Sequence, residues 1–183
     1  IADREKAYQE KAKNEEDWTC FYTLNIHGGE AQFAFAVPYK AVKMKKAGNK
    51  LVLTVKYDYN KPDLSHMEEG EEKKAALKAW KEEKDYEVFD ELPFWGNGQG
   101  YTNAKRNRYA VYDMGSDKLT YVADEWTDCS QYSVLGNLLL YKAYPWKQSV
   151  MGIRPGVYLY NLSTGETKTL IAPDSMRTGV VSL

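Results

Sequence analysis

The sequence has few of the residues that carry enzyme chemistry or cross-link a fold. Among its 183 residues there are two cysteines, Cys20 and Cys129, and two histidines, His27 and His66. Two cysteines give neither the spacing of a zinc site nor a disulfide framework, so both are expected to be small buried residues. No Gly-x-Ser-x-Gly stretch occurs, so the chain cannot supply a nucleophile elbow or a Ser-His-Asp triad. We therefore expect no catalytic residue, no metal and no cofactor.

Strong net charge and long apolar runs are missing as well. A net charge of −1 at pH 7 argues against nucleic acid and against an acidic membrane surface as partners. No apolar run approaches the roughly 20 residues of a membrane span, and the first residues do not resemble a signal peptide. Because the chain begins without methionine, we expect a piece of a longer protein, whose location stays open with the cytoplasm favoured. With 43% hydrophobic residues, the chain is long enough to bury a sizeable core.

One sequence pattern occurs three times: an Asx residue, a short polar turn and a strand-like segment. The copies begin at Asn25, Asp113 and Asn161, and each follows an apolar segment. Two such segments around a Gly-, Ser- or Asp-rich turn are typical of a β-hairpin. The step from residue 113 to residue 161 is 48 residues, close to the period of a four-stranded propeller blade. The first step is 88 residues, which predicts an insertion at residues 58–108.

The other apolar segments extend each hairpin to four strands. Strands are predicted at residues 39–44 and 51–59 around Gly48, and a similar pair recurs around Gly136. The sequence therefore predicts an all-β fold, a partial β-propeller of four-stranded antiparallel blades with one helical insertion. The predicted divisions are 1–37 (partial blade of outer strands), 38–124 (blade with the insertion), 125–173 (blade) and 174–183 (first strand of a further blade).

The insertion has two parts of different character. Residues 67–84 are rich in helix formers and place Glu69 and Lys73 at i,i+4, which predicts a short helix. Residues 85–103 combine aromatic residues with glycines and should be ordered, with Phe94 and Trp95 buried against a blade. Their glycine run lacks the Lys-Ser/Thr partner of a phosphate loop. The charged residues 1–17 are predicted to be a strand end followed by an exposed excursion.

Residues 90–128 carry a resemblance to a known family. The segment is Asp90-Glu-Leu-Pro-Phe-Trp-Gly-Asn-Gly-Gln-Gly-Tyr-Thr-Asn-Ala-Lys-Arg-Asn-Arg108, followed by Tyr109-Ala-Val-Tyr-Asp113 and Leu119-Thr-Tyr-Val-Ala-Asp-Glu-Trp-Thr-Asp128. It is similar to the N-terminal propeller of acylaminoacyl-peptidase-like members of the prolyl oligopeptidase family. The similarity is specific over residues 91–108. Elsewhere only generic blade turns match.

The resemblance implies a non-catalytic propeller segment of a serine peptidase. Such a segment covers a C-terminal α/β-hydrolase domain of the same parent chain and filters which peptides reach it. It would have that domain and peptide substrates as partners, and neither nucleic acid nor membrane. Its contact residues would be Phe94, Trp95, Asn97 and Tyr101. The paired glutamates by which the dipeptidyl-peptidase branch binds amino termini have no counterpart in matching context here.

Two expectations stay open beside that interpretation. A stand-alone propeller that binds protein partners, with no hydrolase attached, has the same blade turns. Incomplete blades at both ends, residues 18–36 and 176–183, would leave unpaired strand edges, which predicts self-association of the isolated segment.

Overall fold

Two helices and thirteen strands are present in the residues that the computed structural model describes, namely 2–13, 16–64, 67–83, 85–147 and 149–174. The chain divides into two units, residues 1–41 with 61–85, and residues 42–60 with 86–183. In chain order the elements are α1 Ala2–Lys13, β1 Thr19–Thr23, β2 Gln32–Val37, β3 Lys40–Ala47, β4 Lys50–Asp58, α2 Glu71–Glu83, β5 Trp95–Gly96, β6 Gly100–Tyr101, β7 Lys105–Asp113, β8 Lys118–Tyr121, β9 Thr127–Leu135, β10 Leu138–Lys147, β11 Val150–Met151, β12 Gly156–Asn161 and β13 Thr167–Ile171.

Two four-stranded antiparallel sheets dominate the second unit. The first has the order β3-β4-β7-β8, and the second has the order β9-β10-β12-β13, with the short β11 on the end of β10. Apart from the insertion between β4 and β7 and the short β11, neighbouring strands follow each other in sequence, as in a propeller blade. The predicted all-β class with four-stranded antiparallel sheets is confirmed. The assignment of residue ranges to individual blades stays a prediction.

The repeated Asx residue has the same role in each of its three copies. Its side-chain oxygen accepts a hydrogen bond from the backbone N–H two residues later, which closes an Asx turn. The three bonds run from His27 to Asn25 at 2.9 Å, from Gly115 to Asp113 at 2.8 Å and from Ser163 to Asn161 at 2.8 Å. The repeat seen in the sequence is therefore a repeat of turn geometry.

The two four-stranded sheets share one hydrophobic core. Tyr109 of β7 is buried and meets the second sheet edge-on, with ring centroids 4.9 Å from Tyr132 and 5.9 Å from Tyr141. Aromatic side chains in such edge-to-face pairs contribute beyond the area that they bury. The other buried members of this core are Ala47, Val52, Val111, Val122, Cys129, Leu139, Ala143, Tyr160 and Leu162.

Cys129 should not react with a thiol reagent in the folded protein. It is 1% exposed, and burial raises the pKa of its thiol to about 12. At pH 8, four units below that pKa, roughly one thiol in ten thousand is the reactive thiolate. In a Cys20→Ser variant, an aromatic disulfide reagent should therefore label no thiol until denaturant is added. Stoichiometric labelling of the native variant at the denatured rate would contradict this placement.

The first unit contains the helix that the sequence interpretation missed. The prediction of a strand end and an exposed excursion over residues 1–17 is wrong, because α1 occupies Ala2–Lys13. Its Ala, Lys, Glu and Gln are strong helix formers. Tyr8 of this helix stacks on Trp18 with ring centroids 4.6 Å apart, which joins α1 to the start of the β1–β2 hairpin. The described residues thus contain two helices where one was expected.

The predicted second helix is confirmed as α2, and its charged pair is also present. Lys73 Nζ lies 2.9 Å from Glu69 Oε1 and 2.8 Å from Glu16 Oε2, although the residue is only 5% exposed. Hydrogen bonds from Lys11 and Lys73 lower the pKa of Glu69 to about 2. These pairs hold α2 to the chain segment that precedes β1.

Two parts of the sequence interpretation lie outside the described residues. They are His66 and the strand predicted at residues 176–183. Self-association through that strand therefore stays a prediction.

Candidate functional site

The second part of the insertion forms a small β-hairpin with an aromatic surface, here called the aromatic hairpin (residues 94–101). Its two strands pair Trp95 with Tyr101 and Gly96 with Gly100. The Gln99 N–H donates to the Gly96 carbonyl at 3.0 Å to close the turn. Gly98 and Gly100 have φ of 74° and 75°, a region that residues with a Cβ rarely adopt. The glycine run therefore forms the tight turn of the hairpin and not a phosphate-binding loop.

Four aromatic rings form a continuous cluster on and beside this hairpin. Trp95 meets Tyr101 edge-on at 5.0 Å between ring centroids, and Phe89 lies 4.9 Å from Tyr101 and 5.1 Å from Phe94. The prediction that Phe94 and Trp95 are buried is wrong, because they are 38% and 54% exposed. The four rings pack on one another, and each still has part of its surface exposed to water.

A buried ion pair fixes the base of the aromatic hairpin. Glu91 precedes the hairpin and Arg106 follows it on β7, and their side chains are only 8% and 1% exposed. Glu91 Oε1 accepts from Arg106 Nη2, and Glu91 Oε2 accepts from Arg106 Nη1 at 3.0 Å. Glu91 Oε2 also accepts from the Ala104 N–H at 2.7 Å. A two-pronged arginine–carboxylate pair sets both distance and orientation, so the two chain segments that flank the aromatic hairpin are held in register.

Arg106 also stacks on an aromatic ring of the second sheet. Its guanidinium carbon lies 3.7 Å from the ring centroid of Trp146 on β10. Arg108 lies two residues further along β7, and its guanidinium carbon is 3.6 Å from the ring centroid of Tyr121. The Arg108 guanidinium also donates a hydrogen bond to the Ala123 carbonyl at 3.2 Å. Arginine over the face of an aromatic ring is an attractive contact that strengthens when water is excluded. The base of the hairpin is therefore attached to both sheets.

Backbone bonds and a buried amide complete the attachment. The Leu92 N–H donates to the Ser149 carbonyl at 2.9 Å, and Leu92 forms an isolated bridge with Val150. Asn103 is fully buried, and its side-chain amide donates to the Val88 carbonyl at 2.6 Å. Hydrogen bonds at both ends of a loop limit its motion. The aromatic hairpin is an ordered feature with an exposed surface.

The structure brings together three of the four residues that the sequence interpretation singled out. Phe94, Trp95 and Tyr101 belong to the one ring cluster, whereas Asn97 lies exposed in the turn. The sequence interpretation missed the pair of Glu91 and Arg106, and no local periodicity links residues 15 positions apart. Both lie within the segment that carries the family resemblance, which is the one signal that pointed to them.

Two kinds of feature are absent from the described part of the chain. There, no group of three or more His, Cys, Asp and Glu side chains is placed to hold a metal ion. None of the described helices is both long enough and apolar enough to cross a bilayer.

Comparison with known proteins gives matches to solved structures alone. No family model matches the chain, and no curated protein matches it. The acylaminoacyl peptidase of Pyrococcus horikoshii is similar in its orthorhombic crystal form (10% identity, TM-score 0.49, 86% of this chain, 23% of that chain). The uncomplexed form of that enzyme is 11% identical with a TM-score of 0.49, and the match covers 86% of this chain and 23% of that chain. An acylaminoacyl peptidase in complex with Z-Gly-Gly-Phe-chloromethyl ketone is 11% identical with a TM-score of 0.49. That match covers 86% of this chain and 24% of that chain.

The chain covers less than a quarter of the length of these structures.

Proposed function

We propose that the chain is a non-catalytic propeller segment of a serine peptidase, in which the aromatic hairpin contacts peptides that pass to a separate α/β-hydrolase domain. The observation that carries the proposal is an exposed ring cluster on a hairpin whose base is fixed by a buried ion pair. Rings at fixed positions bind apolar side chains at a small entropic cost, because little is ordered on binding. The resemblance of residues 90–128 supports the peptidase setting.

The chemistry of the hairpin suits peptide selection and not peptide cleavage. Trp95 and Tyr101 offer apolar faces with polar edges, which is the combination that recurs in protein recognition sites. The exposed amide of Asn97 in the turn is able both to donate to and to accept from a peptide backbone. His27, the histidine within the described residues, lies exposed in the β1–β2 turn. The nucleophile, base and oxyanion hole would come from the hydrolase domain.

Removal of one exposed ring should change peptide selectivity in the parent protein. For Trp95→Ala, we expect the ratio of kcat/KM between a peptide with an aromatic side chain and its alanine counterpart to change about tenfold, the value of one apolar contact. The thermal midpoint should be nearly unchanged because the ring is half exposed.

Tyr86→Ala is the matched control, since Tyr86 is 85% exposed and is not among the four clustered rings. An identical selectivity change in both variants would refute the proposal. If the parent protein has no hydrolase domain and Trp95→Ala instead weakens binding of a protein partner, the stand-alone interaction module is the correct function.

A further inference from the structure

A groove of about 490 Å³, here called the lysine groove, lies between the first sheet and the edge strand β9. On its floor Lys56 of β4 lies directly opposite Asn107 of β7. Lys43 of β3 forms one wall, and residues 129–132 of β9 form the other. All of these residues belong to the same unit of the chain. The groove is thus open space with polar side chains converging on it from both sheets, as in many ligand sites.

Strand β9 is irregular where it borders the groove. Lys142 of β10 pairs with Gln131 and the next residue, Ala143, pairs with Cys129, so Ser130 has no partner opposite it. Such a β-bulge re-aims side chains and is frequent beside binding sites. In a regular strand neighbouring residues point to opposite faces, whereas Ser130 and Gln131 both line the groove.

The groove has positive charge without a partner on the described chain. Lys43 and Lys56 are exposed, and neither forms an ion pair with a described residue. Lys45 and Lys46 add further charge to β3. The carboxylate of Asp128, next to the groove in sequence, already accepts two hydrogen bonds from Asn107, at 2.8 Å and 3.4 Å.

In the described part of the chain, each strand that flanks the groove is the last strand of its sheet. Strand β3 ends the first sheet and β9 ends the second, so among the described residues each pairs with one neighbour. An exposed sheet edge binds an extended chain through backbone hydrogen bonds, and side-chain contacts then select the sequence.

We propose that the lysine groove binds an extended peptide with acidic side chains. The peptide lies along an edge strand, and its carboxylates bind Lys43 and Lys56 through charge-assisted hydrogen bonds. Binding takes place on this chain alone, so the inference does not depend on a hydrolase domain. The same lysines also suit a simpler role, since charged side chains on edge strands deter pairing between copies.

Fluorescence anisotropy with two labelled peptides tests the inference on the full chain. The probes are a blocked six-residue peptide that alternates glutamate with valine and threonine, and its glutamine counterpart. We expect the glutamate peptide to bind at least about tenfold more tightly at low salt, because each carboxylate–lysine contact is charge-assisted. K43Q/K56Q should weaken its binding by a similar factor. The backbone amide resonances of residues 129–132 should shift on titration.

K118Q/K168Q is the matched control, because it removes two exposed lysines from the outer strands β8 and β13. It should leave the affinity unchanged. Equal affinity for the two peptides, or equal losses in the two double variants, would overturn the inference. If K43Q/K56Q self-associates and still binds the glutamate peptide as tightly as before, the lysines only protect the edge and the inference is also overturned.

Discussion

Replacing Glu91 by glutamine should destabilise the chain by about 3–5 kcal/mol, because the change leaves the guanidinium of Arg106 buried without its counter-charge. Arg106 is 3% exposed, so water cannot replace the lost carboxylate. The loss is a large part of the roughly 5–15 kcal/mol that holds an ordinary domain folded. Urea unfolding followed by tryptophan fluorescence measures it. The thermal midpoint gives a second measure if the variant is partly unfolded at room temperature.

A second ion pair beside the base of the aromatic hairpin provides the control. Lys105 Nζ lies 3.7 Å from Glu87 Oε1, and their side chains are 43% and 30% exposed. Solvent screens such a pair, so Glu87→Gln should cost at most about 1 kcal/mol. If the variants at positions 87 and 91 lose the same free energy, the pair of Glu91 and Arg106 does not hold the structure together.

A double variant separates two costs of Glu91→Gln: the loss of the attraction between Glu91 and Arg106, and the burial of the Arg106 charge without a partner. Glu91→Gln combined with Arg106→Met removes both charged groups, so no buried charge is left without a partner. We expect part of the stability lost by Glu91→Gln to return. The methionine keeps contact with the ring of Trp146 but cannot bridge the two segments that flank the aromatic hairpin, so the recovery should be incomplete.

The strands and turns of this fold follow from short-range chemistry, which is why the sequence predicts them. Short runs of apolar residues mark β4, β7 and β10, and an Asx residue before a polar turn closes the three repeated hairpins. Asp113 shows this directly, because its side chain accepts from the N–H groups of Gly115 and Ser116. Each such signal lies within a few residues of the structure that it specifies.

The candidate site depends on contacts that no local pattern contains. Glu91, Arg106 and Trp146 meet through the pairing of separate strands and loops, so their partnership appears only in three dimensions. The burial prediction for Trp95 followed from its apolar area alone. It was wrong because Trp95 packs edge-on against Tyr101 on a two-stranded hairpin, which leaves half of the indole exposed. An exposed ring cluster held by buried charge is more typical of a contact surface than of a core.

The loss of Tyr109 should have an effect of similar size on stability, for a different reason. Tyr109 is 2% exposed and lies between β7 of the first sheet and β9 and β10 of the second. Tyr109→Ala removes a large ring from packed surroundings and leaves a cavity, which costs about 3–5 kcal/mol for aromatic residues. Tyr86→Ala removes the same atoms from a side chain that is 85% exposed, so it should cost less than about 0.5 kcal/mol.

The shape of the unfolding curve then tells whether the two sheets are one cooperative structure. If the ring of Tyr109 joins the sheets, both lose stability together in Tyr109→Ala. The urea midpoint of unfolding then falls, the transition stays single, and the slope of the unfolding free energy against urea concentration is unchanged. In a background that keeps Trp146 and replaces the other four tryptophans by phenylalanine, fluorescence follows the second sheet, although the Tyr109 substitution is in the first. Two separated transitions, with the one reported by Trp146 unmoved, would show that the sheets unfold independently and that the shared core contributes little.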